Sequence, residues 1–522
     1  MSPAAPRRKR NEMVHVQAII YMGASSLSML VAQREDGADL LVLDQLSQPL
    51  DLSKEIFRSG KISRQAMARC AKILDDYLAL IEEYKLAGPV EVHLLGSNIF
   101  MDVENIDTLI NRLSVSSGLR LQVMDDGEMT RVLYLQTQRV LSKYPELKKK
   151  RVLVLHMGPG NTRVMSYEQG RIKFYARYRM GTSRMVETLH LNDSLTKEEE
   201  HTLIRSHIRG ALDQLVYDCE ESCPDKFDAL LFLTPEFKSI KGLADENATV
   251  SLEQITAFTK DVASCSTSKR INKFGLDYAN VFTLLPSLTF IKQASERLSS
   301  SQIIIGGHDR QENYMVSLMP TQAQRLILEK EVLHFASLLA DRYRADPDHG
   351  KQVSKLSSKL FDELQDLHQL DHHDRLLLNA ASILHEIGTF INPKQHHQHS
   401  QYIILNSELF GLSRLDVEIV GLLARYHRHG APNTRKRFFA ELEERDRMRV
   451  QKLSALLRVA DAMESAHNAR IGDFQVLVSG KSIDLVVPKM QDLTMENLAL
   501  ASKGDLFTDI FGYEIRLKAA LD

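Results

Sequence analysis

Apolar residues in the first part of the chain come in short bursts. The stretch VHVQAIIYMGASSLSMLVA (14–32) holds two of them, parted by Gly23, Ser25, Ser26 and Ser28. This spacing predicts strand, turn and strand, and LLVLD (40–44) predicts a third strand. ISRQAMARCAKILDDYLALIEEYKLAG then places Ala66, Ile73, Tyr77, Leu80 and Ile81 at helical spacing, with Ser63 as its N-cap and Gly88 near its end. VEVHLLG predicts a buried strand, ENIDTLINRLSVSSG a helix, LRLQVM a strand and GEMTRVLYLQTQRVLSKY another helix. Strands alternating with helices predict an α/β layer.

The pattern then restarts. RVLVLHMGPGNTRVM (151–165) is again strand, glycine-containing turn and strand; IKFYARYRMG follows as a third strand, then a helix over 197–219 and the strand DALLFLT. Two α/β lobes of one plan, with turns at Gly23 and Gly158, would face each other across a cleft, a common place for a ligand. From about residue 321 to 468 the pattern is helical, with hardly a strand signal, and FQVLV, SGKS and IDLVV beyond it predict a hairpin. The expected organisation is a basic disordered tail over 1–12, lobes over 13–138 and 139–318, a helical domain over 319–470 and an α+β segment over 471–522.

Composition narrows the classes. Sixty-six basic residues nearly balance sixty-eight acidic ones, so no overall field favours nucleic acid or an anionic membrane. Serine and glycine interrupt the apolar run behind the basic start, and no other run reaches the ~18 residues of a membrane helix. The four cysteines form no CxxC pair and fit reduced thiols of a cytoplasmic protein.

Charge and chemistry concentrate late. Twelve of the nineteen histidines lie between His334 and His467, five of them between His385 and His427. Imidazole and carboxylate are the ligands that hold a divalent cation beside phosphate, where it lowers the pKa of a bound water. That stretch points to hydrolytic chemistry.

The ordered segments GASSLS, LGSNIFMDVEN, DDGEMTRVLY, LVLHMGPGNTRV and RYRMGTSRM, followed by HEIG, HHQHS and RYHR in a helical domain, resemble the exopolyphosphatase and guanosine pentaphosphate phosphohydrolase (Ppx/GppA) family. The resemblance implies two ribonuclease-H-like lobes of the actin, Hsp70 and sugar kinase type, then a helical HD-type domain and a small α+β tail. It implies polyphosphate or guanosine penta- or tetraphosphate as ligand, Mg2+ or Mn2+ as cofactor and a homodimer, with no nucleic acid or membrane partner. Phosphate would lie on Gly23, Ser25, Ser26, Arg131, Gly158, Gly160, Asn161 and Thr162.

The catalytic positions depart from the family pattern. Tyr21 stands where D-x-G-S-N-S has its aspartate, and His156 and Arg163 where D-x-G-G-G-S-T-E has its first aspartate and final glutamate. Met101 replaces the phosphate-binding arginine of A-T-S-A-x-R-D-A-x-N, and Met129 the base of E-E-A-R; Glu128 is the remaining base candidate. Pro159 also removes one backbone N–H from the second loop. Lobe catalysis is therefore expected to be impaired.

In the helical domain the HD-type resemblance assigns His349, His385, Glu386 and Asp461 as metal ligands; His396, His397 and His399 of the HHQHS loop and His427 would extend the site to a second ion, for which His399 and His427 are the expected pair. Glu386 stands where the strict signature has aspartate. Three readings follow: a phosphoanhydride hydrolase by family, a non-catalytic polyphosphate- or alarmone-binding regulator, and a metal-dependent HD phosphohydrolase.

Overall fold

The computed structural model describes residues 15–34, 41–84, 90–191, 194–223, 225–234, 249–276, 281–306, 315–428, 430–435, 437–488 and 492–520. The expected basic tail, 1–12, lies outside them. The chain forms two compact units: Met1–Asp125 with Met129–Gln324, and Asp126–Glu128 with Arg325–Asp522.

The first unit holds two five-stranded sheets. β1 (His15–Met22), β2 (Ser26–Arg34) and β3 (Leu41–Pro49) run antiparallel; β4 (Val90–Gly96) and β5 (Gln122–Val123) join parallel on the far side of β1, in the order β3-β2-β1-β4-β5. Parallel neighbours require a crossover; α1 (Arg64–Tyr84) and α2 (Ile106–Ser117) supply it, and Ser63 Oγ accepts from Ala66 N at the start of α1. The LRLQVM run is strand only at Gln122–Val123, because it sits at a sheet edge, and β5 pairs β4 over just two residues.

The second sheet repeats the plan. β6 (Val152–Met157), β7 (Thr162–Glu168), β8 (Arg171–Tyr178), β9 (Ala229–Leu233) and β10 (Gln302–Gly306) take the order β10-β9-β6-β7-β8, the same arrangement with β6 in the place of β1. α3 (Asp126–Leu141) precedes it in sequence; α4 (Thr182–Thr188), α5 (Lys197–Ser222), α6 (Leu252–Ser264), α7 (Thr267–Phe274) and α8 (Leu284–Leu298) follow its first three strands. One face of each sheet buries its alternate residues: Ala18 and Ile20 under α1 and α2, Leu153 and Leu155 under α5, α6 and α8.

The second unit is built on α9 (Gln322–Arg342), α10 (Pro347–Glu363), α11 (His372–Leu384), α12 (His396–Leu405), α13 (Arg414–Tyr426) and α14 (Glu444–Met463). In the segment after it β11 (Gln475–Ser479) and β12 (Ser482–Val487) pair as an antiparallel hairpin, and β13 (Glu514–Ala519) completes the sheet parallel to β12, with α15 (Thr494–Lys503) and α16 (Asp505–Phe511) in the crossover. Ile483, Leu485, Leu500, Phe507 and Leu517 share a single core with Leu453 and Leu457 of α14. A three-stranded sheet needs its apolar face covered, and the helices cover it.

Candidate metal centre and phosphate loops

Three helix ends bring the histidines together. Asp346 caps α10, accepting from the N–H groups of Asp348 and His349 and so fixing His349 in the first turn. His385 and His427 occupy the same position on two other helices, just past the last residue of α11 and of α13. Carbonyls in a final helical turn lack backbone donors. Here the rings supply them: Nδ1 of His385 donates to the Ser382 carbonyl and Nδ1 of His427 to the Ala424 carbonyl, each at 2.7 Å. His396 does likewise to Pro393, at 3.0 Å.

A carbonyl only accepts, so all three Nδ1 atoms carry the proton and all three Nε2 atoms present a lone pair. These lone pairs converge. Nε2 of His396 lies 3.2 Å from Nε2 of His427, and Nε2 of His385 lies 3.2 Å from that of His349. With both rings neutral, His396 and His427 face each other as two acceptors that cannot bond one another, so a cation or a proton must lie between them, whereas Nε2 of His349, whose Nδ1 meets no carbonyl, can carry a proton and donate to His385. Two nitrogens on one tetrahedral zinc-sized ion, each at ~2.0–2.1 Å, would be about 3.3 Å apart.

Carboxylates complete the donor set. Asp461 Oδ1 lies 3.8 Å from Nε2 of both His349 and His385, and Glu386 Oε2 lies 3.9 Å from Nε2 of His349. Among the described residues, three overlapping groups have geometry for an ion: His349, His385 and Glu386; His385, His427 and Asp461; Glu386, His396 and His427. His399 belongs to none of them, and His396, three residues earlier, stands in the place expected for it. The reason is local: Gln395 adopts a left-handed φ of 61°, and α12 starts at His396 with that ring buried while His399 is half-buried.

The electrostatics favour neutral rings at His349 and His427 but not at His385. Burial, with the neighbouring His385, pushes His349 down to about 4, and burial and His385 hold His427 well below its ordinary value. Burial also works against a charged His385, but Asp461 and Glu386 outweigh it and raise its pKa. Burial would raise Asp461; the Lys503 ammonium and His385 overcome that and hold its carboxyl well below the usual range.

The two glycine loops of the first unit close alike. Gly23 N donates to Ser26 O at 2.8 Å, and Gly158 N to Asn161 O at 2.9 Å. In the second loop the carbonyls are already taken: Thr182 N donates to Gly158 O, Arg184 N to Pro159 O and Arg184 Nε to Gly160 O, while Thr162 Oγ1 donates to Met180 O. Ser25 O accepts from Leu50 N. Gly160 is crowded from the other lobe, since a Cβ there would come 3.2 Å from Ile99 Cγ2 and 3.4 Å from Phe57 Cζ. Arg184 covers the Phe57 ring at 5.0 Å and reaches Asp102 at 3.4 Å, and Arg58 pairs with Glu187. His156 and Arg163 are buried cross-strand partners. Glu128 and Arg131 lie half-buried on the first turns of α3, and Met101 is exposed. Met129 is buried with Met124 and Val132, and Tyr21 and Leu95 pack on the same cluster.

Sequence models of Ppx/GppA phosphatases match residues 30–322 as the family domain and residues 334–503 as its domain III. The chain belongs to the Ppx/GppA phosphatase family. Among curated relatives it is similar to the guanosine-5'-triphosphate,3'-diphosphate pyrophosphatases of Aliivibrio fischeri, 21% identical over 86% of this chain and 88% of that one, and of Photobacterium profundum, 22% identical over 80% and 82%. Among solved structures it is similar to an exopolyphosphatase from Cytophaga hutchinsonii, 15% identical with a TM-score of 0.49 over 56% of this chain and 94% of that one. The Aquifex aeolicus Ppx/GppA member aligns over 59% of this chain and 98% of its own at 17% identity, with a TM-score of 0.47. Within this Ppx/GppA chain, Tyr21 packs on the apolar cluster of Met124, Met129 and Val132.

Proposed function

We propose that this protein is a metal-dependent phosphohydrolase whose chemistry is carried by an HD-type centre in the helical unit, and that its lobes bind a phosphoanhydride such as polyphosphate or a guanosine alarmone with little or no hydrolysis. The observation that carries the reading is the facing pair of Nε2 atoms on His396 and His427, with those of His385 and His349 equally close and two carboxylates beside them. Backbone carbonyls lock three of these rings by their Nδ1–H groups, the outer bond that ligating histidines commonly make. His349, His385, Glu386 and Asp461 would hold one ion, and His396 and His427, with Glu386 shared, a second.

A divalent cation there would supply a bound water of near-neutral pKa. The chain's own residues do the rest. His349 and His427 stay neutral, carbonyls orient His385, His396 and His427, Asp461 stays ionised, and the burial of His385, His427 and Asp461 keeps bulk water from the ligand atoms. Among the described residues the lobes hold no equivalent set; a thioether at Met129 accepts no proton, and general acid–base catalysis is worth 10²–10⁴-fold. All four cysteines are free, and among the described residues no helix is long and apolar enough to cross a membrane; both fit the cytoplasmic placement we propose.

The test is phosphate release from polyphosphate, pppGpp and a nucleotide panel, each with and without Mn2+ or Mg2+, beside metal analysis of the purified protein. We expect about one to two ions per chain and metal-stimulated release that His385→Ala with Asp461→Ala abolishes. Release at the wild-type rate from that double variant would refute the helical-unit reading; loss in Glu128→Gln instead would return catalysis to the lobes.

A further inference from the structure

Asp461 treats its two oxygens differently. Oδ1 faces the histidine nitrogens, 3.8 Å from both His349 and His385, while Oδ2 is 2.5 Å from Nζ of Lys503. Lys503 is the last residue of α15, 42 positions further along the chain. Its position is held from behind: Leu493 and Leu500 are buried in the core around α14, Gly504 N donates to Leu500 O, and a Cβ on Gly504 would meet that carbonyl at 2.8 Å. The lysine side chain is only 19% exposed, so its ammonium is delivered to the carboxylate through a mostly closed passage.

A carboxylate with two free oxygens can chelate an ion through both. Chelation by Asp461 would fill the position that a hydrolytic centre must leave open for water or a phosphate oxygen. An ammonium bound to one oxygen prevents it, and draws charge from the other.

We propose that Lys503 is a positioning residue of the metal centre, restricting Asp461 to one-oxygen ligation through Oδ1 and so keeping a coordination position open for the phosphate substrate. This rests on the metal-centre reading above. Lys503 touches Asp461 and acts through it. The C-terminal α+β segment thereby contributes to the site, although none of the proposed ligands lies in it.

The experiment uses the full-length protein loaded with Co2+, whose visible absorption weakens as coordination number rises. Wild type and Lys503→Arg should show the intense bands of a low-coordinate ion. Lys503→Met, similar in volume and uncharged, should show weakened bands, bind Co2+ more tightly on the order of tenfold, the scale of outer-contact effects on metal affinity, and lose most phosphate release. If Lys503→Met does not fold, Lys503→Gln is read in its place. An unchanged spectrum and affinity in the neutral variant, or weaker Co2+ binding, would overturn the role assigned to Lys503 while leaving the metal centre standing. A wild-type protein that takes up no Co2+ would overturn the metal centre and this inference together.

Discussion

His349 and His427 meet a cost on protonation that the unfolded chain does not. Their folded pKa values lie at about 4 and well below the ordinary value, with burial the first cause in each, whereas a free imidazole titrates near ~6.5. Between pH 6.5 and 4 the unfolded chain therefore binds more protons, and stability must fall as pH is lowered through that window, by up to about 1.4 kcal/mol per unit for each group. His385 has a raised pKa, so its contribution is complete below ~6.5 and does not offset the fall. Thermal melts of the metal-free protein from pH 7 to 4.5 should show a steady decline, shallower in His427→Gln; equal slopes would contradict the assignment. At Met129 the expectation concerns a carboxylate. Met129→Glu places an acid among Met124, Val132 and Tyr21, where burial raises its pKa and costs about 2–4 kcal/mol. It should lower the melting temperature without restoring rapid polyphosphate hydrolysis, because Tyr21 and His156 still occupy the motif aspartate positions.

Elements meet at the centre through one close backbone approach. A Cβ on Gly388 would lie 2.1 Å from the His396 carbonyl oxygen and 2.3 Å from Ser400 N, so the short turn Ile387–Phe390 rests directly on α12, and Gly388 N also donates to Ser400 Oγ. Gly388→Ala should push these elements apart at a cost of roughly 1–3 kcal/mol and reduce metal stoichiometry, as read by calorimetry and metal analysis. A variant with normal metal content would show that α12 tolerates the shift. The sequence made much of this scale legible. Apolar periodicity stops at His385 and His427 because the buried stripes of α11 and α13 stop there, and the repeated strand-turn-strand patterns at Gly23 and Gly158 mark the start of two sheets of equal order. The HHQHS loop was legible as a ligand source, but which of its three histidines faces the site was not, since that depends on a left-handed glutamine that no propensity announces. Nor was Lys503, whose contact with Asp461 is a long-range fact of packing. The approach of Phe57 and Ile99 to Gly160 was hidden too, because the turns that carry them are too short to show a period.

Across the whole molecule, two units with separate cores should respond separately to metal. An ion bound only by the native helical unit stabilises it by about 2.7 kcal/mol at a free concentration of one hundred times Kd. Differential scanning calorimetry with added Mn2+ should therefore raise one transition and leave that of the lobes in place. Movement of both together would show that the units unfold as one.

The parallel pairing of β13 with β12 has a further consequence, in time. During synthesis the ligand histidines emerge before Lys503, and the sheet that anchors α15 is not closed until Ala519 has been added. At ~5–20 residues per second, the 92 residues from His427, the last ligand histidine, to Ala519 take about 5–18 s to make. For that interval the nascent chain has the imidazoles but not the anchored lysine, so an ion captured then would meet a looser set of ligands than the finished protein presents.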